Sequence, residues 1–132
     1  MNKFHLEIAT PDGVRFDGEA QSLLVRTADG DVEILHGHTE LLASVATGRV
    51  RIKTADGVRL ASASGGFLSV AKDAVRLVTT TLEFSDEIDL GRAEAAKERA
   101  EELLRNAKDD KTVRALEAKL ARALTRIKVA NM

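Results

Sequence analysis

The feature that most constrains this chain is a change of hydrophobic period close to residue 85. Upstream, apolar and polar residues alternate, as in segments 4–8 and 75–79, which is the pattern of half-buried β-strands. Downstream, apolar residues recur at intervals of three and four, which is the pattern of amphipathic helices. The 132 residues therefore predict an α+β protein in which a β part precedes a helical part.

The β part is predicted to be an antiparallel sandwich or flattened barrel of about eight to ten short strands. Asp-Gly pairs at 12–13, 29–30 and 56–57 separate its alternating runs, and Asp-Gly favours tight turns between antiparallel strands. The glycines of Ser64-Gly65-Gly66-Phe67 indicate a sharp bend or bulge between two strands. The chain has no Cys, so disulfides and thiolate metal sites are excluded.

The helical part is predicted to be an antiparallel hairpin, because the break at 106–111 is short. Asp89 or Ser85 is positioned to cap the first helix, and Asp109, Asp110 or Thr112 to cap the second. The predicted seam residues are Ala93, Ala96, Ala100, Leu103 and Ala107 facing Val113, Leu116, Leu120, Leu124 and Ile127. Because the first helix offers mainly methyl groups, the seam buries little surface, and we hypothesise a hairpin that leaves its docked position at low cost.

Charge is distributed unevenly along the chain. The formal net charge is −4 over residues 1–88, −2 over 89–110 and +5 over 111–132. The basic end is typical of a segment that meets an anionic partner or, alternatively, of a solvated helix face. The overall charge of −1 carries no nucleic-acid signature, and no apolar run approaches the roughly 18 residues of a membrane span. Any membrane association is expected to pass through a partner.

Motifs of catalysis are not found in the sequence. It has no phosphate loop, no Gly-x-Ser-x-Gly elbow and no His-Glu-x-x-His pair. His36 and His38 stand close to Glu33 and Glu40, but two histidines in a predicted loop are more often loop residues than ligands. We therefore predict neither a metal site nor catalytic residues of the chain's own.

The arginines of the two helices offer a candidate binding site. Arg92 and Arg99 share one face of the first helix, and Arg122 and Arg126 share one face of the second. In an antiparallel hairpin these guanidiniums converge near the open end, where they would suit phosphate groups. The alternative is that they form ion pairs with glutamates on the helix surfaces.

Several segments, taken in order, resemble the epsilon subunit family of bacterial F-type ATP synthases. They are Thr10-Pro11-Asp12-Gly13, Ser64-Gly65-Gly66-Phe67-Leu68, Ile88-Asp89-Leu90-Gly91-Arg92-Ala93 and the closing segment 122–129. The third matches that family's Ile/Leu-Asp-x-x-Arg-Ala motif. Each segment alone is weak, but the ordered set spans essentially the whole chain.

The resemblance implies a ten-stranded sandwich over residues 1–84 and a regulatory hairpin over residues 85–132. The sandwich would belong to the central rotor stalk, against the gamma subunit and the c-ring, and would help couple proton-driven rotation to ATP synthesis. The protein would then be peripheral, on the cytoplasmic face of the bacterial plasma membrane, and held there only through the complex.

The resemblance also implies regulation. The hairpin would alternate between a compact state and an extended state that inhibits ATP hydrolysis, in which the basic second helix approaches the alpha and beta catalytic subunits. No cofactor would be obligatory, and ATP would be a regulatory ligand of the compact state. The implied ATP-binding residues are Glu83, Ile88, Asp89, Arg92, Ala93, Arg99, Arg122 and Arg126.

The sequence departs from the family pattern around Gly37-His38. Glu33 replaces a usual Gly, and His36 and Glu40 replace usual prolines, so this region gains charge and loses backbone constraint. Asp31 and His38 are the candidate rotor contacts. Two alternatives stay open: a structural rotor coupling that binds no nucleotide, and a free-standing β-sandwich adaptor.

Overall fold

A computed structural model describes residues 2–72 and 74–132. Its strands are β1 (Phe4–Thr10), β2 (Gly13–Ala20), β3 (Ser22–Thr27), β4 (Gly30–Leu35), β5 (Leu41–Thr54), β6 (Gly57–Ala71) and β7 (Ala74–Phe84). A 3₁₀ turn (Ser85–Glu87) leads into helices α1 (Leu90–Asn106) and α2 (Asp110–Ala130). The strands form one hydrogen-bonded ladder in the order β2-β1-β7-β6-β5-β3-β4.

This single ladder folds over itself to give the two layers of a sandwich. Leu6 of β1, Leu23 of β3 and Ile34 of β4 come from opposite ends of the strand order, yet they share one core cluster and are fully buried. The bend falls within the long strands β5 and β6, where cross-strand pairing is interrupted between Ser44–Phe67 and Gly48–Ala63. The core therefore lies between two halves of one continuous sheet.

The strand count differs from the expectation of ten, since seven strands make up the described part of the sheet. Gly65 and Gly66 lie inside β6, which is 15 residues long, and do not separate two strands. The Ser44–Phe67 and Gly48–Ala63 pairs belong to the same register, so the hydrogen-bonded ladder resumes unchanged beyond the bend. The turn signals predict eight to ten strands and the resemblance implies ten, but a bend such as the one at Gly65 and Gly66 need not end a strand.

One strand pair also departs from the antiparallel expectation. β1 runs parallel to β7, with His5 opposite Ala74 and Ala9 opposite Val78. No local sequence signal predicts this pair, because parallel strands are joined by long connections and not by a turn. The pairing brings the first strand beside the last one, directly before the hairpin.

The three predicted Asp-Gly turns are confirmed at the β1–β2, β3–β4 and β5–β6 connections. Each belongs to a Thr-x-Asp-Gly sequence in which the Thr hydroxyl accepts from the Asp backbone N–H, for example Thr10 from Asp12 at 3.2 Å and Thr54 from Asp56 at 3.1 Å. The Thr hydroxyl takes the place of a backbone acceptor in the turn. Inspection of the Asp-Gly pairs alone does not reveal this contribution.

The hairpin is capped as the sequence predicts. Asp89 Oδ1 accepts from the backbone N–H of Arg92 at 3.1 Å, and Asp109 Oδ1 accepts from that of Thr112 at 2.8 Å. These bonds satisfy N–H groups that an α-helix leaves free in its first turn. The hydrogen bonds from Thr112 also hold the pKa of Asp109 below its usual value.

The buried residues of the hairpin differ in part from the predicted seam. Ala93, Ala100 and Leu116 are buried as expected, whereas Leu103 and Leu124 remain about half exposed. The additional buried positions on α2 are Ala123 and Val129. The seam pattern assumed one neighbour for α2, but α2 packs against α1 and also against β5 and β6.

Candidate functional site

Helix α2 covers part of the outer face of the sandwich. Residues 61–64 of β6 are all buried, although successive strand residues point to opposite faces. Ala61 and Ala63 belong to the core cluster, so Ser62 and Ser64 lie on the outer face, beneath α2. The Ser64 and Thr81 hydroxyls are 2.6 Å apart across β6 and β7.

A cleft of about 370 Å³ runs along one side of α2, and we call it the arginine cleft. Arg122 and Arg126 line it from the helix, and Arg15, Ser62 and Ser64 line it from the sandwich. The cleft also has acidic lining at Asp12, Glu83 and Glu87. It therefore combines forked cationic donors with hydroxyls, a set that can hold a phosphate-bearing ligand once its own carboxylates are displaced.

A second, smaller cleft of about 60 Å³ adjoins it, and we call it the motif cleft. Its lining consists of Glu83, Asp89, Arg92, Ala93 and Arg126. Glu83 and Arg126 line both clefts, and Arg126 Nε lies 2.9 Å from Glu83 Oε1. Both side chains keep more than one-third of their surface exposed, yet Glu83 Oε1 itself is buried from solvent, and Arg126 is the charged group beside it.

Six of the eight predicted ATP-binding residues line one or both of these clefts: Glu83, Asp89, Arg92, Ala93, Arg122 and Arg126. Arg99 is exposed two helical turns beyond Arg92, and neither cleft has it or Ile88 in its lining. Asp89 is occupied as the cap of α1. Of the four predicted guanidiniums, Arg122 and Arg126 line the arginine cleft, Arg92 and Arg126 line the motif cleft, and Arg99 lines neither.

The junction between sandwich and hairpin contains a cluster that sequence reasoning missed. Glu87 Oε1 accepts from the Phe84 backbone N–H at 2.9 Å and from Arg15 at 2.7 Å. The backbone hydrogen bond from Phe84, followed by the Arg15 charge, holds the pKa of Glu87 below its usual value. The Arg59 guanidinium lies 3.6 Å from the centroid of the Phe84 ring, within cation–π range. These long-range contacts have no local sequence signature.

The two candidate rotor contacts lie at opposite ends of β4. Asp31 is at the start of the strand, and His38 follows its end, which separates them by about 13 Å or more along the strand direction. Asp31 forms ion pairs with Arg26 at 3.4 Å and Arg49 at 4.0 Å. The structure therefore does not bring Asp31 and His38 together.

Asp31 and His38 line different clefts. Asp31 lines a cleft of about 220 Å³ together with Thr125 and Lys128 of α2. His38 lines a groove of about 290 Å³ whose apolar walls include Phe4 and Val75.

The acidic departures near the β4–β5 loop have different surroundings. Glu33 is paired with Arg51 on a nearby strand at 2.7 Å, whereas His36 and Glu40 are exposed. Among the described residues, no cluster of three or more His, Asp or Glu side chains is arranged to hold a metal ion. Neither described helix is long and apolar enough to cross a membrane.

Comparison with known proteins gives a consistent result over the whole chain. The family model "ATP synthase, Delta/Epsilon chain, beta-sandwich domain" matches residues 3–85, and "ATP synthase, Delta/Epsilon chain, long alpha-helix domain" matches residues 86–131. The ATP synthase epsilon chain of Caldanaerobacter subterraneus subsp. tengcongensis is 41% identical over 97% of this chain and 94% of its own length. That of Bacillus velezensis is 40% identical over 99% of each chain.

Solved structures show the same fold at lower sequence identity. A chain of the Euglena gracilis mitochondrial ATP synthase, in an OSCP/F1/c-ring structure, has a TM-score of 0.86 with 21% identity. The match covers all of this chain and 83% of that one. A chain of the Tetrahymena thermophila mitochondrial central stalk and c-ring has a TM-score of 0.63 with 14% identity, covering 96% of this chain and 95% of that one.

The fold and the clefts define a class of small proteins in which a β-sandwich carries a docked helical hairpin. Full-length matches at about 40% identity, together with both family models, make the assignment specific. This chain belongs to the ATP synthase delta/epsilon family, and its bacterial relatives are epsilon chains. Members of this class are non-catalytic subunits of the synthase, in agreement with the lack of catalytic motifs in the sequence.

Proposed function

We propose that this chain works in the central stalk of a bacterial ATP synthase, on the cytoplasmic face of the plasma membrane. Its sandwich, which we delimit as residues 1–84, contacts the gamma subunit and the c-ring and helps transmit proton-driven rotation to ATP synthesis. Residues 85–132 form the regulatory hairpin. Family membership and the full-length matches support this proposal.

The hairpin regulates ATP hydrolysis by changing position. When docked it binds ATP; when extended it brings the basic α2 segment toward the alpha and beta catalytic subunits and inhibits hydrolysis. The net charge of +5 over residues 111–132 supports an acidic target for the extended state. ATP is a regulatory ligand here and no cofactor is required.

The observation that carries the nucleotide proposal is the sharing of Glu83 and Arg126 by the arginine cleft and the motif cleft. The motif cleft, at about 60 Å³, is far below the roughly 300 Å³ at which ligand pockets begin. A nucleotide therefore needs both clefts, and Arg126 must exchange its Glu83 partner for a phosphate. Because Glu83 Oε1 is buried, this exchange also requires the Glu83 carboxylate to turn toward water or another donor.

Binding of this kind would make hairpin position depend on ATP concentration. A ligand that binds only the docked state stabilises it by RT ln(1 + [ATP]/Kd), which is about 2.7 kcal/mol at one hundred times Kd. Abundant ATP then holds the hairpin docked, and scarce ATP releases it to inhibit hydrolysis.

Isothermal titration of the protein with ATP tests this proposal. The test variant is Arg92→Ala/Arg126→Ala, which removes one guanidinium from the motif cleft and the one shared by both clefts. The matched control is Arg105→Ala/Arg114→Ala, which removes two exposed guanidiniums from the same helices, away from both clefts. Calorimetry is suitable because the chain has no Trp or Tyr to report binding by fluorescence.

Saturable heat in the wild type and in the control, lost in the test variant, would support ATP binding between hairpin and sandwich. If millimolar ATP produces no heat in the wild type, the nucleotide proposal is wrong. The chain would then be a rotor coupling whose hairpin responds to something other than ATP.

A further inference from the structure

The short 3₁₀ turn between β7 and α1 is fastened to the sandwich by a side chain from another strand. Glu87 Oε1 accepts hydrogen bonds from the Phe84 backbone N–H at 2.9 Å and from Arg15 Nη2 at 2.7 Å. Through Nη1, the same guanidinium donates to the Leu82 backbone oxygen at 2.8 Å. Arg15 belongs to β2, so it joins the end of β7 to the turn from outside both elements. We call Arg15, Phe84 and Glu87 the junction clamp.

The residue that precedes the turn is anchored in the core. Phe84 keeps only 4% of its surface exposed and belongs to the core cluster of the sandwich. The guanidinium groups of Arg59 and Arg15 lie 3.6 Å and 5.5 Å from the centroid of its ring. Lifting the turn and Phe84 together would expose a buried aromatic ring, and lifting the turn alone would break both hydrogen bonds to Glu87.

The fastening stops at Ile88. The Ile88 N–H donates back to the Ser85 oxygen at 3.4 Å, whereas Asp89 accepts from the N–H groups of Arg92 and Ala93, ahead of it in the chain. Ile88 and Asp89 both have extended backbone, with φ of −76° and −85°. Among the hydrogen bonds of the described residues, none joins the turn to α1, so rotation about the Ile88–Asp89 link breaks none.

Beyond this link, the helices have few polar connections to the sandwich. α1 packs on α2, and α2 packs on β5, β6 and the turn. In the described part of the chain, one ion pair, Arg126–Glu83, joins either helix to the sandwich. The two helices can therefore leave together while the turn stays in place.

From this geometry we propose that the hairpin swings about the Ile88–Asp89 link, while the junction clamp keeps the Ser85–Glu87 turn on the sandwich. The inference rests on the proposed function in one respect, namely that the hairpin undocks. Its new content is the position of the hinge and the role of Arg15, a residue of β2, in fixing it. The change of hydrophobic period near residue 85 marks the end of the sheet, but the moving unit begins only after the turn.

Distances between pairs of spin labels, measured by double electron–electron resonance in the full chain, test this inference. The protein has no Cys, so labels can be attached at introduced cysteines alone. The reference position is Ala55→Cys in the β5–β6 turn, paired either with Asp86→Cys in the 3₁₀ turn or with Glu102→Cys on α1, and all three positions are exposed. Glu102 lies about 20 Å beyond Asp89 along the helix, so a swing of about 60° moves it by about 20 Å.

Undocking is favoured by omitting ATP and by the substitution Arg126→Ala. This substitution removes the ion pair and leaves the buried Glu83 Oε1 without its charged neighbour. We expect the Ala55–Glu102 distance to show a second population, displaced by about 10–20 Å. The Ala55–Asp86 distance should keep one narrow population under the same conditions.

Removing the clamp should transfer the motion to the turn. In Glu87→Ala and in Arg15→Ala, each combined with Arg126→Ala, the flexible link grows from 88–89 to 85–89. The width of the Ala55–Asp86 distribution should then increase about twofold, because a longer free segment reaches farther. The matched controls are Glu7→Ala and Arg76→Ala, the partners of a 3.0 Å ion pair elsewhere on the same sheet, and they should leave the width unchanged.

Two populations of the Ala55–Asp86 distance with the clamp intact would show that the turn leaves with the helices. That result would overturn the inference and leave the regulatory function standing, as would a width that either clamp variant leaves unchanged or that the controls broaden equally. If the Ala55–Glu102 distance keeps one population in the wild type and in Arg126→Ala, the hairpin does not undock. The inference and the regulatory part of the proposed function would then both be wrong, so the two failures are distinguishable.

Discussion

Gly66 offers a sharp test of the packing between β6 and β7. Its φ is +123°, and a Cβ built on it would lie 1.8 Å from the backbone oxygen of Val78 and 2.8 Å from Thr79 Cα. Ordinary contacts between such atoms are longer by roughly 1 Å or more. Replacing Gly66 with Ala must therefore separate the two strands in the middle of the sheet.

The magnitude follows from two contributions. Backbone strain at this φ costs about 1–3 kcal/mol for a residue with a Cβ. Separating the strands adds about 2–3 kcal/mol from overpacking and weakened hydrogen bonds. We expect Gly66→Ala to lower the free energy of unfolding by about 3–6 kcal/mol, a large part of the roughly 5–15 kcal/mol of a typical domain.

Gly13 provides a matched control, because its φ is +121° and a Cβ there would meet nothing within 4 Å. Gly13→Ala should therefore show the strain alone, about 1–3 kcal/mol. Urea unfolding followed by far-ultraviolet circular dichroism measures both, since the chain lacks Trp and Tyr. The reasoning is refuted if Gly66→Ala and Gly13→Ala lower the free energy of unfolding by the same amount while its dependence on urea concentration stays unchanged.

Two further predictions concern the junction and the first helix. The pKa of Glu87 is lowered by hydrogen bonds from Phe84 and Arg15, so its contribution to stability is present above its ordinary value of 4.5 and is lost as pH falls through the lowered value. Below about pH 5, the free energy of unfolding should therefore fall less steeply with decreasing pH in Glu87→Gln than in the wild type. Equal slopes would show that the hydrogen bonds to Glu87 do not contribute to stability in solution. Asp89→Ala should accelerate hydrogen exchange in the first turn of α1, whereas Asp89→Asn, which can still accept from Arg92, should not; equal acceleration in both would indicate that charge, and not capping, is the important property.

The features that the sequence predicted well are those encoded within a few residues. The Asp12-Gly13 turn and the Asp89 cap each depend on a side chain and a backbone group at most three positions apart. Helical spacing likewise predicted that Arg122 and Arg126 lie on one face of α2, and both line the same cleft. Local geometry determines all of these, so local patterns were sufficient.

The features that the sequence could not predict depend on long-range packing. The parallel β1–β7 pair, the ladder that continues across Gly65 and Gly66, and the separation of Asp31 from His38 follow from how the whole sheet folds. Arg99 fits the helical pattern as well as Arg92 does, yet the position of α2 leaves it outside both clefts.

The hydroxyls under α2 were missed for a different reason. Alternation of alanine and serine in segment 61–64 is typical of a strand with one solvent-exposed face. Nothing in that pattern indicates that a helix covers this face. An interface between a helix and the polar face of a sheet has no hydrophobic pattern of its own. It is recognised only when both surfaces are seen together.

The position of β7 in the sheet has a mechanical consequence. β7 leads directly into the hairpin and is hydrogen-bonded to β1 on one side and to β6 on the other. The half of β7 next to the junction, residues 79–84, is paired with β6 alone, whereas residues 74–78 are paired with both β1 and β6. A pull on the junction along the strand therefore loads the β6 ladder in shear first. It reaches the doubly paired half of β7 only through that ladder, so many hydrogen bonds share the force before the strand can slip.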